Sequence, residues 1–160
     1  MTITLDREQL PGAVDEAQQR SPRELVSEQT FAKLATYMVE HHRVTSAYAE
    51  RVVEQTLIYL KAVADNPGVR LVPDVSVDPG WHAFLMHTIE YSEFEREHAA
   101  GTRLHHVPIM LEDIKSGAAM ERTIPLLYAT GYTVDPEFWV TGESCCPPNP
   151  PQIPPPGPGI

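Results

Sequence analysis

The sequence predicts an all-α fold, a small single-domain helical bundle followed by a proline-rich C-terminal tail. Three observations carry this expectation. Helix-start signals precede runs of apolar residues at steps of three and four. Strand-type alternation is confined to short pieces. Eight of the sixteen prolines crowd between residues 147 and 158, which leaves the rest of the chain free to pack. With 160 residues, 42% of them hydrophobic, the chain has material for one core of ordinary size and none for a second.

Residues 1–20 are polar, carry Pro11 and Gly12, show no sustained period and are expected to form a flexible arm. The domain is expected over 21–141. Ser21-Pro22-Arg23-Glu24 combines a capping serine, a proline at the first helical position and a capping-box glutamate. Leu25, Phe31, Leu34, Ala35 and Met38 continue the stripe towards His41 and His42, with a local break foreseen near Ser27. Thr45 caps a second helix whose face, Tyr48, Val52, Thr56, Tyr59 and Val63, runs to the stop at Asn66-Pro67-Gly68. Val69–Val77 contains Pro73 and reads as an extended connection.

Asp78-Pro79 is a second cap-plus-proline start, predicting a largely buried helix from Pro79 to about Ala99 that ends at Gly101. Trp81, Phe84, His87, Tyr91, Phe94 and His98 form its face, and Leu85, Met86 and Ile89 widen the apolar surface. Leu111–Tyr128 reads as helix kinked or split at Pro125. Asp135-Pro136 starts a short final turn with Phe138 and Trp139. Residues 142–160 form the proline-rich tail, whose composition favours polyproline II, and they include the adjacent Cys145 and Cys146. Neighbouring cysteines close no useful loop, which excludes a disulfide scaffold.

Charge and hydropathy narrow the function. A net charge of -10 repels phosphate backbones and anionic lipid, so neither nucleic acid nor a membrane surface is expected as a partner. No apolar run approaches the roughly 20 residues of a membrane span, and the N-terminus does not read as a signal peptide. The expected compartment is the cytoplasm. No nucleophile elbow, phosphate-binding loop or dinucleotide fingerprint is present.

The chemistry-bearing signal is a cluster of histidines between His82 and His106, with Asp78 one helical turn before His82. Residues four apart share a helix face, so Asp78 and His82 can meet one cation. His87 lies about 140° further round the helix and converges with them only through a twist. His105 and His106 are neighbours in a loop, where successive side chains point opposite ways, so one of them at most faces the helix. A carboxylate with two imidazoles suits zinc or non-haem iron, and an all-histidine set suits copper or zinc. Simpler readings stand beside these: Asp78 as a helix cap, His87 as a core histidine, and His41, His42 and His98 as surface residues at helix C-termini.

The stretch VDPGWHAFLMHTIEYSEFEREHAAGTRLHHVP, from Val77 to Pro108, resembles the glycine-rich domain-containing protein-like family. The likeness extends over about residues 28–139, with FAKLATYMVEHHRV and AERVVEQTLIYL before it and GYTVDPEFW after it. It implies a small, mainly helical domain with Asp78, Trp81, His82 and His106 at signature positions. Glu95 stands where many relatives have cysteine.

The function expected from these readings is a metal-binding protein, a small metalloenzyme of specialised metabolism acting on a small molecule or peptide. His82 and His106 would be ligands of a divalent zinc, iron or copper ion, completed by Asp78 or His87. Two alternatives accompany it: a non-catalytic interaction module whose proline-rich tail docks on a protein partner, and a precursor-like protein whose tail is itself the substrate.

Overall fold

A computed structural model describes residues 19–139. The arm before residue 19 and the tail from residue 140, with Cys145 and Cys146, lie outside the described residues. The fold is an all-α helical domain of six α-helices among the described residues. They are α1 (Glu28–His42), α2 (Ser46–Asp65), α3 (Asp78–Met86), α4 (Thr88–His98), α5 (Glu112–Lys115) and α6 (Ala118–Ala129), with 3₁₀ turns at Pro22–Leu25 and Pro136–Phe138.

The foreseen break at Ser27 is where α1 begins. Ser27 Oγ accepts from the Thr30 amide, and Thr45 Oγ1 accepts from the Tyr48 amide at the start of α2. Each cap satisfies an amide that the first turn leaves without a partner. Ser21 makes no such bond, and the four residues after it form a 3₁₀ turn rather than the first turn of α1. Before it, Arg20 bridges to Tyr132: its amide donates to Gly131 O and its carbonyl accepts from Thr133 N. Arg20, which the sequence reading assigns to the arm, is therefore tied to the domain.

α2 is the axis of the domain. Val52, Val53, Leu57, Ile58, Tyr59 and Leu60 are all buried, so it is covered on more than one face, and α1, α3, α4 and α6 pack around it. α3 crosses it very closely at Gly80. A Cβ there would lie 2.1 Å from Thr56 Oγ1 and 2.9 Å from a Val52 methyl, so only glycine permits this approach. The C-terminal turn is fastened to α2 by Gln55, whose Oε1 accepts from the Asp135 amide and from Trp139 Nε1.

Several expectations are corrected. The long helix from Pro79 to Ala99 is two helices, separated at His87 (φ -95°, ψ 67°). The His87 imidazole Nδ1 lies 2.8 Å from Ala83 O, the carbonyl that a continuing helix would give to the His87 amide, and that amide bonds Phe84 O instead. Beside this break Met86 and Ile89 are exposed rather than part of the apolar face, while Trp81, Phe84, Tyr91 and Phe94 are buried as expected. In the last helical region the division falls at Gly117, whose φ of 84° a side chain would resist, and not at Pro125. Pro125 sits inside α6 on its exposed side, next to water for the Glu121 carbonyl it leaves without a helical donor.

Candidate metal centre

A further correction concerns Asp78. It is the first residue of α3 and not its cap, and it makes no capping bond. The turn into α3 is organised one step earlier by buried Asp74, whose Oδ1 accepts from the Ser76 amide and hydroxyl and whose carbonyl accepts from the Val77 and Asp78 amides. The Asp78 carboxylate is thereby directed away from its own helix end. His82, one turn on, shares its face.

His106 reaches this face from the irregular segment between α4 and α5, and two side chains of α4 hold that segment. After Ala100 and Gly101 turn the chain with positive φ, Leu104 is gripped at both ends of its peptide groups. Its amide donates to Glu95 Oε1 at 2.7 Å, and its carbonyl accepts from Tyr91 Oη at 2.7 Å. Tyr91 Oη accepts in turn from Trp81 Nε1 at 3.0 Å, and Arg103 pairs with Glu95 Oε2. Burial pushes the Tyr91 phenol up to about 12, outweighing the opposing hydrogen bond from Trp81, so it remains the donor that Leu104 O requires. Two residues later the His106 ring lies over the Trp81 indole, with centroids 4.5 Å apart.

Three side chains then converge. His106 Nε2 is 3.0 Å from Asp78 Oδ1 and 3.0 Å from His82 Nε2, and His82 Nε2 is 3.5 Å from Asp78 Oδ2. His106 and Asp78 side chains are 12% and 16% exposed, whereas His82 is 54% exposed, so the group opens to solvent on the His82 side. One proton serves both 3.0 Å contacts when His106 Nε2–H donates to Asp78 Oδ1 and His82 Nε2, so the group can close on itself through hydrogen bonds. A cation is attracted by all three at once. Donors about 2.0–2.1 Å from a tetrahedral zinc ion lie about 3.3 Å apart, within the spread of the three separations.

Of the residues singled out in the sequence, Asp78, His82 and His106 are brought together and are the group among the described residues able to hold a metal ion. His87 is not in it: its Nδ1 engages Ala83 O, and its ring meets the edge of Tyr37. His105 is exposed and makes no part of the triad, as the alternation argument anticipates. His98 is partly buried rather than a surface residue, with Nε2 2.8 Å from Leu25 O. Sequence reasoning places Tyr91 in the core but misses its polar duty, and it misses Glu95 altogether as a positioning residue. A signal existed. Glu95 follows Phe94 and lies four residues after Tyr91, a charged residue next to a buried stripe, which calls for a partner.

A cleft of about 400 Å³ adjoins the centre, with His106 and Trp81 in its wall. No helix among the described residues is long and apolar enough to cross a membrane. Compared with models of protein families, with curated proteins and with solved structures, the chain matches none.

Proposed function

We propose that the protein binds one divalent metal ion through Asp78, His82 and His106, and that it is a small metal-dependent enzyme. The observation that carries this reading is the convergence of one carboxylate and two imidazoles, with contacts of 3.0, 3.0 and 3.5 Å among them, close enough for one ion to bridge all three side chains. The donor set narrows the ion. Two imidazoles and one carboxylate suit zinc or ferrous iron, whereas copper is better served by the all-histidine set that His87 would have completed. Three protein ligands leave coordination positions free, and the exposed side of His82 gives them access to water. An ion in such a site supplies either a water acidified towards neutrality or a Lewis acid for a bound carbonyl.

The residues behind the ligands fit the same purpose. Metal sites depend on groups that fix the orientation of their ligands, and removing such a group commonly lowers affinity about 10–100-fold. Trp81, Tyr91 and Glu95 serve here by fixing the backbone two residues before His106.

The test is metal analysis of the full chain purified without a histidine tag, supplied in turn with Zn(II) and Fe(II). One equivalent is expected in the parent, and less than a tenth of an equivalent in His82→Ala, His106→Ala and Asp78→Asn under the same dialysis. Because Asp78 is not a cap, the asparagine variant keeps the fold and loses the charged donor. Unchanged metal content in all three variants, or none in the folded parent, overturns the proposal. Binding weakens on acidification, because protons compete with the ion for both imidazoles.

A further inference from the structure

The cleft beside the metal centre has a chemical character of its own. Its inner wall is built from Tyr59, Leu71, Val72 and Trp81, all buried in the core cluster, and its size falls in the range of small-molecule sites. Around the mouth Val107 and Ile109 are 59% and 54% exposed, large apolar side chains standing in water on either side of Pro108. Such a mouth favours an apolar occupant.

One charge stands at the same mouth. Arg70 lines the cleft and pairs with Asp113, but Asp113 is shared: Arg70 Nη1 is 3.2 Å from Oδ1 and Arg122 Nη2 is 2.8 Å from Oδ2. Arg122 is held further by its Nε, which donates to Arg70 O. Two guanidinium groups therefore face one carboxylate, leaving one unit of positive charge, and Arg70 is the more exposed of the two. The two arginines hold the Asp113 carboxyl below the usual carboxylate range, so it stays ionised and the count stands. In a chain whose net charge is -10, a surplus cation at the rim of an apolar cleft is a local exception.

We propose that this cleft is the substrate site of the metal centre and that it takes a small molecule with an apolar body and one anionic end, a carboxylate held by Arg70. The apolar body lies along Tyr59, Leu71 and Val72 and passes the ring of His106, the residue common to cleft and triad. The inference rests on the metal-centre reading for the word substrate, and the cleft's own binding chemistry can be tested apart from it.

The full chain is titrated by calorimetry with octanoate, octanol and octylammonium, probes that share one apolar body and differ in the charge of the head. Octanoate is expected to bind one-to-one and at least fivefold more tightly than octanol, with octylammonium weakest. Arg70→Gln should bring octanoate to the level of octanol while leaving octanol binding and metal content unchanged. Ile109→Glu, at an exposed position, should weaken octanoate at least tenfold. Cobalt-loaded protein should change its visible spectrum when octanoate is added. Equal affinity for octanoate and octylammonium, or no effect of Arg70→Gln, overturns the anionic-end assignment. An octanoate complex that leaves the cobalt spectrum unaltered overturns the substrate assignment. Metal loading without binding of any probe sinks this inference alone, and Arg70-dependent octanoate binding by a protein that takes up no metal sinks the metal-centre reading instead.

Discussion

Two groups of histidines face different parts of this small domain, and they behave in opposite ways. At one, His82 and His106 turn their Nε2 atoms towards each other and towards a carboxylate. At the other, His41 and His87 flank Tyr37: the first stacks on the phenol at 3.8 Å between centroids and the second meets it edge-on at 5.4 Å. Each of this second pair has Nδ1 near the carbonyl four residues back along the chain, Tyr37 O for His41 and Ala83 O for His87. The difference lies in where the polar atoms are directed. An imidazole engaged with its own backbone and separated from its neighbour by an aromatic ring is a packing residue. Imidazoles whose Nε2 atoms meet at 3.0 Å beside a carboxylate are the ones proposed to share a metal ion.

Four experiments sharpen or break that contrast. The largest effect expected is on metal content. His82→Ala and His106→Ala should each abolish stoichiometric binding, while His41→Ala and His87→Ala leave it within error of the parent. Loss of metal in His87→Ala would erase the distinction. Next comes Trp81→Ala. Trp81 lies at the base of the triad and in the core, so truncation should cost about 3–5 kcal/mol in denaturant unfolding and take metal affinity with it. A parental unfolding midpoint would contradict the packing.

Tyr91→Phe tests the link between core and site. It removes the donor to Leu104 O and the acceptor of Trp81 Nε1, leaving buried polar groups unpaired at about 1–3 kcal/mol. Metal affinity should fall about 10–100-fold through the displaced His106 segment. The same phenol gives a pH signature. Its pKa is raised on folding from 10.0 to about 12, so its contribution to stability is complete below pH 10 and is lost as pH rises towards 12. Tyr91→Phe should lack that alkaline loss, and a parallel loss in both proteins would assign it elsewhere. The smallest effect expected is the stability change in His87→Ala, about 0.5–1.5 kcal/mol for one partly buried hydrogen bond, read from its thermal midpoint.

The same contrast explains how much was legible in advance. The start of α2, its cap at Thr45 and the buried faces of α2 and α3 follow from short-range rules, and so the sequence predicts them well, whereas the start expected at Ser21 is a 3₁₀ turn and α1 begins after the Ser27 cap. Helical spacing puts Asp78 and His82 on one face and loop alternation admits only one of His105 and His106, while the choice of His106 comes from the family resemblance. What the sequence did not disclose depends on competition between partners far apart or differently oriented. The break at His87 arises when a ring takes the place of an amide at Ala83 O. Asp78 sits in a motif that does start a helix, but it falls one position inside, which frees the carboxylate that a cap would have engaged. Glu95 and Tyr91 acquire their roles only once Leu104 folds back between them.

The close crossing at Gly80 has a mechanical consequence. Asp78 and His82 lie two residues to either side of it on α3, so the point where that helix rests on α2 is the pivot of a short lever bearing two of the three proposed ligands. An alanine methyl at the pivot, 2.1 Å from Thr56 Oγ1 and 2.9 Å from a Val52 methyl, forces a shift at this contact, and a shift of the helix displaces Asp78 and His82 relative to His106, whose segment α4 holds. The position through which the site is most easily put out of register is therefore one that has no side chain and donates nothing to it.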